Sequence, residues 1–171
     1  FNFIYYKAHE TRIIYADHAA TTPLDPEVLT AMLPYFDSQY SNPSSMHASG
    51  RRALRAITKA RKVVASCMEV SPDEIIFTGS GTESDNLAII GVARANAHHG
   101  QHIIISAIEH KAILEAVKTL EEEGFEITRA PVDRFGMVDV KQLISLVRED
   151  TILISIMLAN NEIGTVLPIK E

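Results

Sequence analysis

The sequence predicts an α/β fold with a mostly parallel sheet covered by helices on both faces, preceded by an N-terminal helical arm. Continuous apolar runs such as HIIIS (102–106) and TILISIMLA (151–159) are typical of strands buried on both faces. Segments with apolar residues at helical spacing alternate with these runs along the chain. A sheet exposed on one face would instead show apolar residues at every second position.

The N-terminal arm is expected to consist of helices and loops. A short β-prone run at 13–16 leads into a turn-rich segment. Asp25 and Pro26 then fit the N-cap and first position of a helix that runs to about Phe36. Residues 51–68 have the pattern of a second helix, with one apolar side and a basic remainder.

The rest of the chain alternates strands and helices. Helix 83–98 is expected to turn Leu87, Ile90 and Ala93 inward, and Gly124 occupies the favoured position just past the end of another helix. We predict strands at 74–78, 102–106, 125–130 and 151–159, and helices at 83–98, 111–123 and 139–148.

The composition excludes several classes of protein. With 46% apolar and 22% charged residues among 171, the chain resembles an ordinary globular protein rather than a disordered one. No apolar run approaches the roughly 18 to 20 residues of a membrane-spanning helix, and residues 1–12 lack signal-peptide features, so we expect a cytoplasmic protein. The net charge of −6 argues against nucleic-acid binding, and we interpret the basic run at 51–62 as a solvated helix face. Cys67 is the one cysteine, and we interpret it as a buried core thiol.

Polar residues follow three of the predicted strands at the point where each strand ends. In open α/β sheets, ligands bind beyond the carboxyl ends of the strands, which all lie at one edge. We therefore predict one site built from residues 79–82 (GSGT), 107–110 (AIEH) and 160–164 (NNEIG).

The turn at 79–82 is a candidate anion cradle. Its glycines allow close backbone approach, and the N–H groups and dipole of a helix N-terminus favour a phosphate. Glu83 and Asp85 would repel that phosphate unless they point elsewhere. The alternative is a plain strand-to-helix turn. Ser84 replaces the third glycine of a dinucleotide fingerprint, and no lysine follows as in a P-loop.

The other two strand ends leave alternatives open as well. His110 could stack on a ring or move protons near neutral pH, or it could simply cap a helix. Asn160 and Asn161 could donate to a ligand oxygen or form an Asx turn. A metal site at His98, His99 and His102 is disfavoured, because these residues surround a helix C-terminus.

Five motifs occur in order along the chain: DHAATTPLDPEV (17–28), NPSSMHASG (42–50), FTGSGTESDNLAI (77–89), SAIEHKAILE (106–115) and SIMLANNEIGTV (155–166). Together they resemble the cysteine desulfurases of the class V aminotransferase family, from about residue 13 to 171. The resemblance implies a type I pyridoxal 5'-phosphate (PLP) fold, of which residues 51–171 would be the first half of the large domain. Residues 13–50 would be the arm with active-site loops, and residues 1–12 a flanking segment.

The resemblance also implies roles for individual residues. By similarity, Gly81 and Thr82 bind the cofactor phosphate, His110 stacks on the pyridine ring and assists proton transfer, and Asn161 hydrogen-bonds the phenolic oxygen. Loop residues near Ala20, Thr21 and Asn42 are second-tier candidates near the active-site mouth.

The activity that the resemblance implies is removal of sulfur from L-cysteine to leave L-alanine and an enzyme-bound persulfide. The partners would be a second copy of the chain in a homodimer and a sulfur-acceptor protein, without direct contact to nucleic acid or membrane. The HKA sequence after Glu109 resembles the branch that supplies iron–sulfur cluster assembly and tRNA thiolation.

Several family residues have no counterpart in these 171 residues. The Schiff-base lysine, the aspartate that pairs with the pyridine nitrogen and the sulfur-accepting cysteine would all follow residue 171, and Cys67 does not replace that cysteine. We therefore expect a fragment that is inactive alone. The alternatives are another class V PLP enzyme, such as an aminotransferase, a kynureninase-like hydrolase or a selenocysteine lyase, or a non-catalytic interaction module.

Overall fold

The computed structural model describes residues 14–170, and the chain divides into two compact units, one ending at Pro72 and the other beginning at Asp73. The predicted flanking segment 1–12 lies outside the described residues. Within the described part of the chain, no helix combines the length and the hydropathy needed to cross a membrane.

The described part of the N-terminal unit holds two helices, α1 (Pro26–Phe36) and α2 (Ala48–Met68). Asp25 caps α1 as predicted, since its carboxylate accepts the backbone N–H groups of Glu27 and Val28. α2 starts three residues earlier than predicted. Its N-cap is His47, whose Nδ1 accepts the N–H of Gly50 at 3.3 Å.

Two predictions for this unit are wrong. Residues 14–16 form no strand, and Ile13 lies outside the described residues. Cys67 is exposed rather than buried in a core. The apolar residues of α2 that lie on the same side as Cys67 are exposed as well, Val63 to 56% and Val64 to 37%.

The second unit carries the α/β alternation. A 3-10 turn (Pro72–Glu74) begins at the last residue of the first unit. The second unit then contains α3 (Gly81–Asn96), β1 (His102–Ser106), α4 (Lys111–Glu122), β2 (Glu126–Ala130), α5 (Val140–Ser145) and β3 (Thr151–Ser155). Gly124 ends the α4 segment with φ +98°, a left-handed conformation that glycine adopts without strain.

The strands form a parallel sheet in the order β2-β1-β3. His102 at the start of β1 lies opposite Glu126 of β2 and Thr151 of β3. Since all three strands run the same way, their carboxyl ends meet at one edge of the sheet. This confirms the predicted parallel α/β class.

Helices α3 and α4 cover one face of the sheet, whereas the face near α5 stays partly exposed, with Ile154 44% exposed. On one face α3 packs against α4 and β3, and the core there includes Ala93, Ile103, Ile105, Val117 and Leu120, all without exposed surface. Burying each of the larger side chains contributes roughly 1.5–3 kcal/mol, which fixes both helices on the sheet. On the other face, an apolar cavity of about 330 Å³ lies between α5 and β3, lined by Val140, Leu143, Ile144 and Ile154 among others.

Five local predictions for this unit differ from the structure. The helix predicted at 83–98 runs from Gly81 to Asn96, because Ser80 caps it. Residues 75–78 are not part of the described sheet, which contains only β1, β2 and β3. Ala93 is buried and Ile90 packs against the core as predicted, but Leu87 is 49% exposed and Ile89 is buried in its place.

The other two differences are shorter elements. α5 ends at Ser145 rather than 148. The residues that follow form 3-10-type hydrogen bonds between positions three apart, such as that from the N–H of Val147 to the carbonyl of Ile144. β3 ends at Ser155 rather than 159, and Ala159 instead forms an antiparallel bridge with Val166.

Candidate functional site

A polar cavity lies at the carboxyl edge of the sheet, where β1 and β3 end. Its volume is about 370 Å³, within the range of roughly 300–1,000 Å³ typical of small-molecule sites. It is lined by Ile108, Glu109, His110, Lys111 and Leu114 from the β1–α4 region and by Asn160, Asn161, Glu162 and Ile163 from the segment after β3. Two of the predicted strand ends therefore meet at one site, and they bring His110 and Asn161 to the same cavity.

His110 caps a helix, which is one of the two alternatives that the sequence left open. It is the N-cap of α4, and its Nδ1 accepts the backbone N–H of Ala112 at 3.1 Å. Its side chain is nevertheless exposed and lines the cavity. Because one ring nitrogen is committed to the cap, the imidazole is held in a fixed direction while its other edge stays available.

The two adjacent asparagines have different environments. Asn160 forms an Asx turn, since its Oδ1 accepts the N–H groups of Glu162 at 2.9 Å and Ile163 at 3.0 Å. Its Nδ2 also donates to the carbonyl of Ile108 at 3.1 Å. Asn161 is exposed, and its side chain makes no hydrogen bond within residues 14–170. Only Asn161 therefore has an amide available for a ligand.

The turn between these asparagines and the following chain is tightly closed. The N–H of Asn160 donates to the carbonyl of Thr165, and the N–H of Gly164 donates to the carbonyl of Asn160, both at 2.9 Å. Gly164 has φ +74°, so glycine is the residue that allows this turn without strain. The closed turn holds Asn161 at the rim of the cavity.

Glu109 is a site residue to which the sequence assigned no role. It is 7% exposed, and its Oε1 accepts the Ser106 hydroxyl at 2.9 Å and the backbone N–H of Met157 at 2.7 Å. Burial raises the pKa of Glu109, the two hydrogen bonds partly oppose that rise, and nearby Asp85 adds to it. The available signal was a charged residue three positions after the end of a continuous apolar strand.

The turn at 79–82 opens α3 as predicted. Ser80 is the N-cap, and its Oγ accepts the N–H of Glu83 at 3.2 Å. The carboxylate of Glu83 reaches back to the N–H of Gly79 at 2.6 Å, which completes a reciprocal capping arrangement. The N–H groups of Gly81 and Thr82 have no acceptor among the described residues.

The space around this turn suits an anion. A Cβ built on Gly81 would meet nothing within 4 Å, so a ligand has room to approach the backbone there. The positive end of the 16-residue α3 lies at the same place. The carboxylate of Glu83 accepts the N–H of Gly79. Glu83 therefore points to another group, as a phosphate at this turn would require. Gly81 and Thr82 do not line the cavity of His110 and Asn161, but Asp85, one turn into α3, lies close enough to Glu109 to affect its pKa.

The three clustered histidines do not converge. The rings of His98 and His99 contact each other at a centroid distance of 3.8 Å. His102 is buried in β1, where its ring nitrogens lie 2.7 Å and 2.8 Å from the hydroxyls of Thr151 and Thr128. Among residues 14–170, no group of three or more His, Cys, Asp or Glu side chains is arranged to hold a metal ion.

The second-tier candidates lie in the other unit. Ala20 and Thr21 are exposed, and the Oδ1 of Asn42 accepts the N–H of Ser44 at 2.9 Å. They remain predictions.

The fold and this edge define an open parallel α/β protein with a preformed polar cavity, in which α3 begins at a turn suited to an anion. Comparison with known proteins makes this class specific. Residues 14–171 match the family described as aminotransferase class-V, and the chain belongs to that family.

Its relatives include proteins named as cysteine desulfurases. The chain is 52% identical over 162 residues to cysteine desulfurase IscS of Methanosarcina thermophila, and 54% identical over 160 residues to that of Dictyoglomus turgidum. These alignments cover 95% and 94% of the chain but only 40% and 41% of the relatives. The chain thus spans about two-fifths of the length of the relatives it matches.

Solved structures agree in fold. A NifS-like protein superposes with a TM-score of 0.87 at 44% identity, covering 90% of this chain and 42% of that one. SspA in complex with cysteine superposes with a TM-score of 0.85 at 40% identity, covering 91% of this chain and 45% of that one. The expected similarity to the cysteine desulfurases is therefore confirmed.

Proposed function

We propose that this chain carries the phosphate, ring and phenolic-oxygen contacts of a PLP-dependent cysteine desulfurase. The protein would take sulfur from L-cysteine, leave L-alanine and pass the sulfur to an acceptor protein for iron–sulfur cluster assembly or tRNA thiolation. It would act in the cytoplasm as a homodimer. The observation that carries the proposal is the cavity shared by His110 and Asn161 at the carboxyl edge of the sheet.

The residues of this edge fit PLP. The unmatched N–H groups of Gly81 and Thr82 and the Thr82 hydroxyl would donate to the phosphate. The imidazole of His110, oriented by its bond from Ala112, would lie against the ring and move a proton to or from the substrate. The free amide of Asn161 would donate to the phenolic oxygen. When bound, PLP supplies an electron-withdrawing ring that stabilises negative charge on the substrate.

The substrate assignment has separate support. The relatives named above are cysteine desulfurases, and the structure of SspA contains cysteine. We extend both to this chain as part of the proposal, together with the prediction that residues 1–171 alone are inactive. Cysteine-dependent alanine formation by this polypeptide without any added chain would contradict that prediction.

The test measures PLP binding to the complete gene product that carries this chain, by its absorbance between about 320 and 450 nm. Thr82→Ala removes one hydroxyl bond to a charged group, which is worth about 1.5–3 kcal/mol, so the Kd for PLP should rise about 10- to 150-fold. Asn161→Ala should shift the absorbance band and weaken binding. His110→Ala should abolish alanine formation.

His99→Ala is the matched control, since His99 is an exposed histidine just beyond the other end of α3. It should leave binding and activity unchanged. A wild-type protein that binds no PLP would refute the proposed function. Binding that is unchanged by all three site substitutions would refute the assignment of residues.

A further inference from the structure

A buried carboxylate joins the two halves of the candidate site. Glu109 follows β1, yet its Oε1 accepts the backbone N–H of Met157, which follows β3, at 2.7 Å. The same oxygen accepts the hydroxyl of Ser106, the last residue of β1, at 2.9 Å. Both donors are removed from bulk water, Ser106 completely and Met157 in part.

A second bond ties the same two segments from the opposite direction. The Nδ2 of Asn160 donates to the carbonyl of Ile108 at 3.1 Å. The segment before His110 and the segment before Asn161 are therefore connected at two points, by Glu109 in one direction and Asn160 in the other. His110 is the neighbour of Glu109, and Asn161 is the neighbour of Asn160, so each tie lies one residue from a group that lines the cavity.

We propose that Glu109 is a positioning residue whose Oε1 ties the end of β1 to the segment after β3 and thereby sets His110 against Asn161 across the cavity. The inference deepens the proposed function and rests on it, because the spacing of these two side chains matters to PLP only if PLP binds there. The oxygen that accepts both bonds carries the role. The negative charge does not.

Two substitutions separate the acceptor from the charge. Glu109→Gln keeps an oxygen that can accept from Ser106 and Met157 but removes the charge. Glu109→Ala removes the acceptor and leaves both donors without a partner. Ser106→Ala is the matched control, since it removes the bond within the β1 segment and leaves the bond across to Met157.

The experiment uses the complete gene product and has one readout with PLP and one without it. With PLP, Glu109→Ala should shift the absorbance band as Asn161→Ala does and raise the Kd for PLP about tenfold, the equivalent of one hydrogen bond. Adding Asn161→Ala to Glu109→Ala should change the Kd by less than about twofold further, because the contact is already lost. Glu109→Gln and Ser106→Ala should stay within about twofold of wild type.

Without PLP, amide hydrogen exchange over residues 156–161 reports the tie directly. Exchange there should accelerate in Glu109→Ala and remain near wild type in Glu109→Gln. If Glu109→Ala does not fold, Glu109→Asp replaces it, since its carboxylate is one methylene short of Met157. Equal damage by Gln and Ala, or fully additive effects with Asn161→Ala, would overturn the proposal.

The two readouts distinguish a failure of the proposed function from a failure of the role proposed for Glu109. If the wild type binds no PLP, the proposed function fails, and the exchange measurement alone decides whether Glu109 ties the segments. If PLP binds but exchange over 156–161 is the same in all variants, the tie is refuted and the proposed function stands.

Discussion

Alanine substitutions at the neighbouring residues Asn160 and Asn161 should affect different properties. Asn160→Ala should lower the stability of the fold, and Asn161→Ala should weaken PLP binding. Asn160→Ala removes the hydrogen bonds from the N–H groups of Glu162 and Ile163 and the one to the carbonyl of Ile108. It also removes a fourth, weaker bond from Nδ2 to the Met157 sulfur at 3.5 Å. Glu162 and Ile163 are exposed, so water can replace the partner of their N–H groups, which lowers the cost of each lost bond. We expect a loss of about 2 kcal/mol in the free energy of unfolding.

Asn161→Ala removes an exposed side chain without a hydrogen-bond partner in residues 14–170. Its free energy of unfolding should stay within about 0.5 kcal/mol of wild type. Its Kd for PLP should rise about tenfold, because the donor that we propose for the phenolic oxygen is lost.

Urea unfolding followed by circular dichroism measures the first quantity, and absorbance titration with PLP measures the second. Asn160→Asp is an informative intermediate, since it keeps the acceptor of the Asx turn and loses the donor to Ile108. It should destabilise less than Asn160→Ala. Equal destabilisation by the two alanine variants would refute the distinction between a turn-forming and a ligand-binding asparagine.

Three further predictions test other parts of the structure. Gly100→Ala should destabilise the protein by about 2 kcal/mol or more, because the new Cβ would clash with the carbonyl oxygen of Asp150. Gly91→Ala should instead stabilise α3 by about 0.5–1 kcal/mol, because nothing lies within 4 Å of the new Cβ. Urea unfolding compares the two variants, and a change of the same sign in both would contradict the packing. Because the folded state raises the pKa of Glu109, wild type should lose stability as the pH rises from about 4.3 through that raised pKa. Glu109→Gln has no carboxyl to ionise, so its free energy of unfolding should rise relative to that of wild type over this pH range. A difference between the two that does not change with pH would contradict the pKa shift. Cys67 is exposed, so a thiol reagent should label residues 1–171 at this position without denaturant, and protection until unfolding would restore the core interpretation.

Local signals in the sequence were sufficient for the helices and for much of the sheet. The Asp25-Pro26 start of α1 and the glycine after α4 are caps that act over a few residues, so they can be identified without knowing the rest of the fold. The run HIIIS became β1 with the predicted bounds, because a continuous apolar run is buried on both faces wherever the sheet forms.

The parts that could not be predicted depend on distant residues. Residues 74–78 have the composition of a strand, but composition alone does not decide which segments join a sheet, and the described sheet contains only β1, β2 and β3. Cys67 has an apolar neighbourhood in sequence, but its burial depends on whether another element covers that side of α2. Glu109 had no assigned role, because its partner Met157 lies 48 residues further along the chain.

Different kinds of interaction connect neighbouring strands at the amino edge and at the carboxyl edge of the sheet. This difference affects which edge can form a ligand site. At the amino edge, the exposed guanidinium of Arg148 donates to Glu126, at the start of β2, and to Asp150, just before β3, and it lowers the pKa of both carboxyls. Such surface ion pairs contribute about 0–1 kcal/mol each and are screened by salt.

At the carboxyl edge, the connection runs through buried Glu109, whose acceptor is shielded from water and from ions. A ligand site needs donors whose positions are set before the ligand arrives, because ordering them on binding costs affinity. A buried carboxylate that pairs two backbone segments meets that need, and an exposed arginine cluster does not. Raising the salt concentration should therefore weaken the Arg148 contacts while leaving hydrogen exchange over residues 156–161 unchanged, and accelerated exchange there at high salt would refute this difference between the two edges.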